Sequence, residues 1–134
     1  MSAEASEPAT VDRERGSAVA EFAMVGALLV VLFLGAFQVG FALFVRNSLT
    51  AYAVDGARYG ARADSSPAAG AARTRTLIDQ GLDARFSGDV SATETVEGGA
   101  RVVLVTVRTR LPVLGPFGPP GALKVSGRAY VEAQ

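Results

Sequence analysis

The sequence predicts an α+β membrane protein: one long N-terminal transmembrane helix, a short amphipathic helix and a small antiparallel sheet of about three strands. Three observations carry this. Residues 22–45 are apolar throughout except for Gln38. Within residues 69–86, Ile78, Leu82 and Phe86 recur every four positions, the repeat of one helix face. Beyond residue 89, apolar and polar residues alternate with a period of two, the mark of a half-buried sheet. Three parts follow: a leader at 1–16, a hydrophobic helix at 17–64 with its transmembrane portion at 22–45, and a small α+β domain at 65–134.

The leader is polar and holds Glu4, Glu7, Asp12 and Glu14 against Arg13 and Arg15. Nothing in it can bury a core, so it is expected to be disordered. The apolar run exceeds the roughly 20 residues that cross a hydrocarbon core of about 30 Å. A chain of 134 residues leaves too small a remainder to wrap a helix that is apolar all round, so burial inside a soluble core is the weaker reading. The run is too long for an ordinary cleavable signal peptide, and no Ala-x-Ala site follows it. Arg13 and Arg15 before the span and Arg46, Arg58 and Arg62 after it give a slightly adverse vote for an inside N-terminus.

The alanine-rich run from Asn47 to Asp64 is expected to continue the helix. It carries a stripe of small residues: Ala53, Gly56, Ala57, Gly60 and Ala61. Gly56 and Gly60 are four apart, the spacing that lets two helix backbones approach closely. The same glycines also suit a permissive helix end, since each costs about 1 kcal/mol against alanine, and both readings stay open. Gly35, Gln38 and Gly40 are the corresponding helix-packing positions inside the span, Gln38 as a hydrogen-bonding group. Ser65, Ser66 and Pro67 break the helix. The second helix is expected over 69–86, with Arg75, Asp79 and Asp83 opposite its apolar face and Ser87-Gly88 ending it. Strands are expected at 89–96, 101–111 and 123–133. Glu97-Gly98-Gly99 supplies the first turn and the Pro-rich stretch 112–121 the second connection. On the second strand Val103, Val105, Val107 and Leu111 share one face. Val102, Leu104, Thr106, Arg108 and Arg110 share the other. On the third, Leu123, Val125, Ala129 and Val131 alternate with Lys124, Ser126, Arg128, Tyr130 and Glu132.

Composition narrows the function. Thirteen basic and thirteen acidic side chains cancel, which gives no basic face for nucleic acid. No cysteine is present, so there is no disulfide or thiolate metal site. No histidine is present, which removes the usual general base and the commonest metal ligand. Asp79 and Asp83, one turn apart, are the nearest thing to a paired carboxylate and read as a solvated helix face. Arg108, Arg110 and Arg128 form an expected basic strip on the outer sheet face, where charge guards against edge pairing. No enzyme signature, catalytic residue, cofactor or metal is expected.

The informative constellation is Arg13-Glu14-Arg15-Gly16-Ser17-Ala18-Val19-Ala20-Glu21-Phe22. One carboxylate stands five positions after a glycine, where the apolar run begins. At a helix centre in the bilayer an acid costs about 2.5–3.5 kcal/mol on insertion scales, and less near an edge. A favourable place at the helix N-terminus is one explanation for Glu21. A capping box is not, because with Ser17 as N-cap the acid belongs at Ala20.

This stretch resembles a class III, prepilin-type signal: a short charged leader, a glycine before the cut, a glutamate at the fifth mature position, then a hydrophobic helix. More widely, ERGSAVAEFAMVGALLVVLFLGAFQVGFAL resembles the N-terminal signature of TadE-like (TadE/TadG) pseudopilins of tight-adherence pilus systems, and AVDGARYGAR resembles that family's stretch beyond the membrane, with Asp55 where glutamate is more usual. Ser17 stands where type IV pilins often have an aromatic, and the leader is acidic overall.

The resemblance implies a processing site at Gly16 and Ser17, cut by a prepilin peptidase on the cytoplasmic side. It implies subunit pairing through Glu21 and Phe22, with the glutamate meeting the new amino terminus of a neighbour. Other pilin or pseudopilin subunits, an inner-membrane assembly platform and the lipid bilayer are the implied partners. The N-terminus is then cytoplasmic and the C-terminal domain extracytoplasmic, with the chain in the inner membrane or built into a pilus. The expected function is that of a minor pilin or pseudopilin in assembly of a Flp-type pilus or a related type IV pilus or type II secretion-like machine. The rival is an uncleaved single-pass membrane protein whose outer domain binds a protein partner. A membrane-anchored enzyme is the third and weakest reading.

Overall fold

A computed structural model describes residues 9–111 and 121–133. It contains helix α1 (Ala9–Gly60), helix α2 (Pro67–Gly81), a single 3₁₀ turn at Ala84–Phe86, and strands β1 (Asp89–Glu97), β2 (Ala100–Arg110) and β3 (Ala122–Tyr130). The three strands form one antiparallel sheet in the order β1-β2-β3. The α+β class is present, with the long apolar N-terminal helix, the shorter second helix and the three-stranded antiparallel sheet. The chain divides into two compact units, residues 1–37 and 38–134.

In the first unit the described residues are all helical, and helix begins well before the apolar run. Residues 9–16, expected to be disordered, are a helical extension; residues 1–8 lie outside the described part. The physical reason is cooperativity. Once residues after 17 are helical, each added residue costs only propagation, not nucleation. Arg13, Glu14 and Arg15 are good helix formers, and Asp12 sits in the first turn, where the macrodipole favours an acid.

In the second unit residues 38–60 of α1 supply one wall of the core. Val45, Leu49, Ala53 and Ala57 are fully buried at intervals of four, joined by Ala61. They pack with Ile78 and Ala71 of α2, with Phe86, and with Val90, Val103, Val105, Val107 and Val125 of the sheet. The helix ends at Gly60, short of the expected residue 64, and Ala61–Asp64 turn.

Helix α2 starts as its sequence dictates. Ser66 is the N-cap, its Oγ accepting a hydrogen bond from the Ala69 amide at 3.1 Å, and Pro67 occupies the first turn. It stops at Gly81, not at Phe86 as expected. Gly81 lies under the Tyr52 phenol, which leaves no room for a Cβ. The Asp83 carboxylate then accepts the Arg85 amide at 2.9 Å and caps the 3₁₀ turn. A short acid bonding its own backbone competes with the helix ladder. Ile78 and Phe86 are still buried and Leu82 still packs on the core, so the apolar face survives the break.

The hairpin between β1 and β2 closes through Gly98 and Gly99, with φ of +58° and +82°. Two left-handed residues in a two-residue loop are what a type I′ turn demands, and its twist matches the strands. Register then aligns Ala92 with Val105 and Val105 with Gly127. A Cβ on Gly127 would collide with the backbone of Ala53 and Val54, so α1 lies directly on the sheet there. Val102, expected with the polar face, is on that face but buried. It shares a small hollow with Glu97, Arg128 and Tyr130.

Candidate assembly and membrane segment

The unusual feature of α1 is a long run of exposed apolar side chains. Phe22, Leu28, Leu32 and Phe33 are exposed, Phe22 at 80%. So are Phe37, Val39, Leu43 and Phe44 further on. Water-exposed apolar area is unfavourable by about 25 cal/mol per Å², and soluble monomers rarely leave so continuous a surface bare. α1 is long and apolar enough to cross a membrane, and its most hydropathic window has 6% of its residues buried. Burial within this chain therefore does not account for the apolar run.

Glu21 stands exposed on the helix immediately before Phe22, and among the described residues it has no ion-pair partner. Gly16 and Ser17 are exposed and lie inside the helix. A Cβ added at Gly16, Gly35 or Gly40 would meet no other atom within 4 Å. Within the chain itself these glycines leave smooth helix surface, free for a close approach from outside. Gln38 is half-buried.

Gly56 and Gly60 are placed differently. They face α2 of the same chain, where Gly70 completes the crossing. A Cβ at Gly56 would run into Thr74 Oγ1 and lie 2.7 Å from the Gly70 carbonyl oxygen. One at Gly60 would lie 3.2 Å from Gly70 Cα. Thr74, fully buried, donates through Oγ1 to Gly70 O at 2.9 Å, which satisfies its hydroxyl inside the crossing. The four-residue spacing was visible in sequence. Its partner was not, because a lone glycine in the middle of a helix reads as a weak point, not as half of a contact.

Asp79 and Asp83, read as one solvated helix face, are both exposed but do not share a helix. The helix breaks between them. Asp79 accepts from Ser87 Oγ at 2.5 Å, while Asp83 caps the 3₁₀ turn and lies 3.9 Å from Arg85 Nε. The expected strip of Arg108, Arg110 and Arg128 is also divided. Arg128 is paired with Glu97 at 3.3 Å, and register places it opposite Leu104. Arg108 stands directly opposite Lys124, and Arg110 opposite Ala122. On α1, Asp55 pairs with Arg73 at 3.2 Å beside an open hollow also lined by Arg58, Tyr59, Arg62 and Glu132. No group of acids suited to holding a metal occurs among the described residues.

Residues 16–58 match the family model described as TadE-like protein. The match begins at the glycine that precedes Ser17 and takes in Glu21, the whole apolar run and the first turns of α1 that pack in the second unit. No curated protein and no solved structure matches the chain.

Proposed function

We propose that this protein, TadE-like over residues 16–58, is a minor pilin or pseudopilin of a tight-adherence pilus. The observation that carries this reading is the largely exposed apolar helix with a single carboxylate at its head, inside the TadE-like segment. Residues 22–45 lie in the cytoplasmic membrane before assembly and against neighbouring subunits after it. Either environment removes the exposed phenylalanines and leucines from water. The C-terminal domain is extracytoplasmic.

Hydrolysis of the Gly16–Ser17 peptide bond by a prepilin peptidase frees the Ser17 amine. The resulting ammonium meets Glu21 of an adjacent subunit. At a low-dielectric boundary each charge alone is costly, and together they neutralise and set the register of one helix on the next. Gly16 helps the peptidase, since glycine is about 1 kcal/mol less helical than alanine and the bond must leave the helix to be cut. The assembly platform of the inner membrane receives the matured subunit.

Intact mass of the chain extracted from membranes of its native host tests this. A chain starting at Ser17 supports the proposal. A chain keeping residues 1–16 in the presence of the peptidase overturns it in favour of an uncleaved membrane protein whose outer domain captures a partner. Glu21→Ala is expected to insert normally and to be missing from assembled pili; normal incorporation removes the pairing role.

A further inference from the structure

The second unit carries its unpaired cations at one end. β3 runs in the same direction as the helix beneath it: Gly127 lies on Ala53 and Val54, and the Glu132 amide donates to Ala61 O at 2.9 Å. Strands rise about 3.3 Å per residue and helices about 1.5 Å. Three residues before Gly127, Lys124 is therefore about 10 Å back along the strand, level with Arg46 or Asn47 on α1. Register puts Arg108 opposite Lys124, and Arg110 two positions further toward the same end. Arg46 is exposed and is the first charged residue after the apolar run. Arg46, Arg108 and Lys124 thus lie where α1 leaves the run, with Arg110 about one helical turn back along it, and Arg108, Arg110 and Lys124 are exposed on the sheet face turned away from the core.

Among the described residues their charge is only partly balanced, by Asp89 opposite Arg108. At the opposite end of the sheet Glu94 pairs with Arg101 at 3.2 Å and Glu97 with Arg128 at 3.3 Å. At this end two cations, Arg108 and Lys124, stand directly opposite one another, an arrangement that destabilises a sheet. Asp89 faces Arg108 from β1, and Asp83 is taken by Arg85. Among the described residues no ion pair holds Arg108, Arg110 or Lys124. A surplus of positive charge remains at the level where a spanning helix enters the headgroup layer.

We infer that Arg108, Arg110 and Lys124, with Arg46, form a docking surface for the anionic headgroups of the bilayer the helix spans. The headgroup phosphates supply the counter-charge that the sheet lacks, and they hold this end of the domain down on the membrane. The inference rests on the membrane-spanning reading above. Polybasic surfaces are attracted to anionic lipid in this way, the attraction falling off within a Debye length.

The test uses the full chain in vesicles of phosphatidylcholine and phosphatidylglycerol, with spin-labelled lipids reporting which species is held at the protein surface. The wild type is expected to prefer phosphatidylglycerol. R108Q/K124Q is expected to lower that preference by about fivefold to thirtyfold, at roughly 1 kcal/mol for each cation near the surface. R128Q, which removes a cation already paired at the far end, is expected to stay within about twofold of wild type. Alkaline extraction of the same vesicles separates the two readings. A retained chain with no lipid preference, or with equal losses in R128Q and R108Q/K124Q, overturns the headgroup surface alone, as does occupation of these cations by an acidic protein segment. A chain that alkali releases overturns the spanning helix and the surface together.

Discussion

Gly127→Ala tests how closely α1 lies on the sheet. The added Cβ would fall against the backbone of Ala53 and Val54, 2.6 Å from the Ala53 carbonyl oxygen. These are helix backbone atoms and cannot swing aside as a side chain can. Helix and strand must instead part by roughly 1 Å, and a gap of that size forfeits a quarter to a half of each dispersion contact. The loss falls on fully buried neighbours, Ala53 and Val105 among them. Overpacking of this kind costs about 1–3 kcal/mol, while alanine for glycine returns about 0.4–1 kcal/mol by restricting the unfolded chain. A net loss of about 1–2 kcal/mol lowers Tm by about 4–8 °C for each kcal/mol in a domain of this size. Thermal melts of the full chain in micelles, followed by circular dichroism, give the measurement. Gly88→Ala is the control, since no atom lies within 4 Å of its Cβ. Equal melting of the two variants would refute the close contact and the placement of β3 on α1.

Two further substitutions probe local geometry. Gly99→Val forces a β-branched residue into φ of +82°; it is expected to cost about 1–3 kcal/mol and to weaken amide protection in Thr95–Val102 exchange measured by NMR more than in β3. Ser66→Ala removes the oxygen that receives the Ala69 amide; a loss of about 1 kcal/mol is expected in chemical denaturation, and Ser66→Asp is expected to restore most of it.

The strands were legible because period-two alternation and the Gly98-Gly99 turn are local signals. Their bounds, Asp89–Glu97, Ala100–Arg110 and Ala122–Tyr130, differ from the sequence expectation by three residues at most. The end of α2 was not legible, because Gly81 answers to Tyr52, a residue far away in the chain. Gly127 was skipped in reading β3 for the same reason. A glycine within a strand gives no clue as to which backbone approaches it. The residues 16, 17, 21 and 22 present the reverse case. Among the described residues no contact marks them, so what points to them is in the sequence: a glycine, a carboxylate five positions on, and the start of an apolar run.

The TadE-like match ends at residue 58, yet α1 is structurally divided near residue 38. The stretch 38–58 therefore serves both as the continuation of the apolar helix and as a wall of the second unit. Val45 and Leu49 are fully buried there, and each is worth about 1.5–3 kcal/mol when removed from water. Ala53, Ala57 and the α1 side of the Gly56–Gly70 crossing add to that. A domain of this size has about 5–15 kcal/mol of total stability, so loss of this wall consumes most of it and bares Val103, Val105 and Val107. A fragment of residues 38–134 is expected to keep slow amide exchange in β2 and a cooperative melt. A fragment of residues 65–134 is expected to lose both. If the shorter fragment melts cooperatively, α2 and the sheet suffice on their own, and the buried face of α1 is a passenger in the second unit. If it does not, the domain cannot form before the helix that carries it is in place, which ties folding of the second unit to the same segment that the proposed assembly uses.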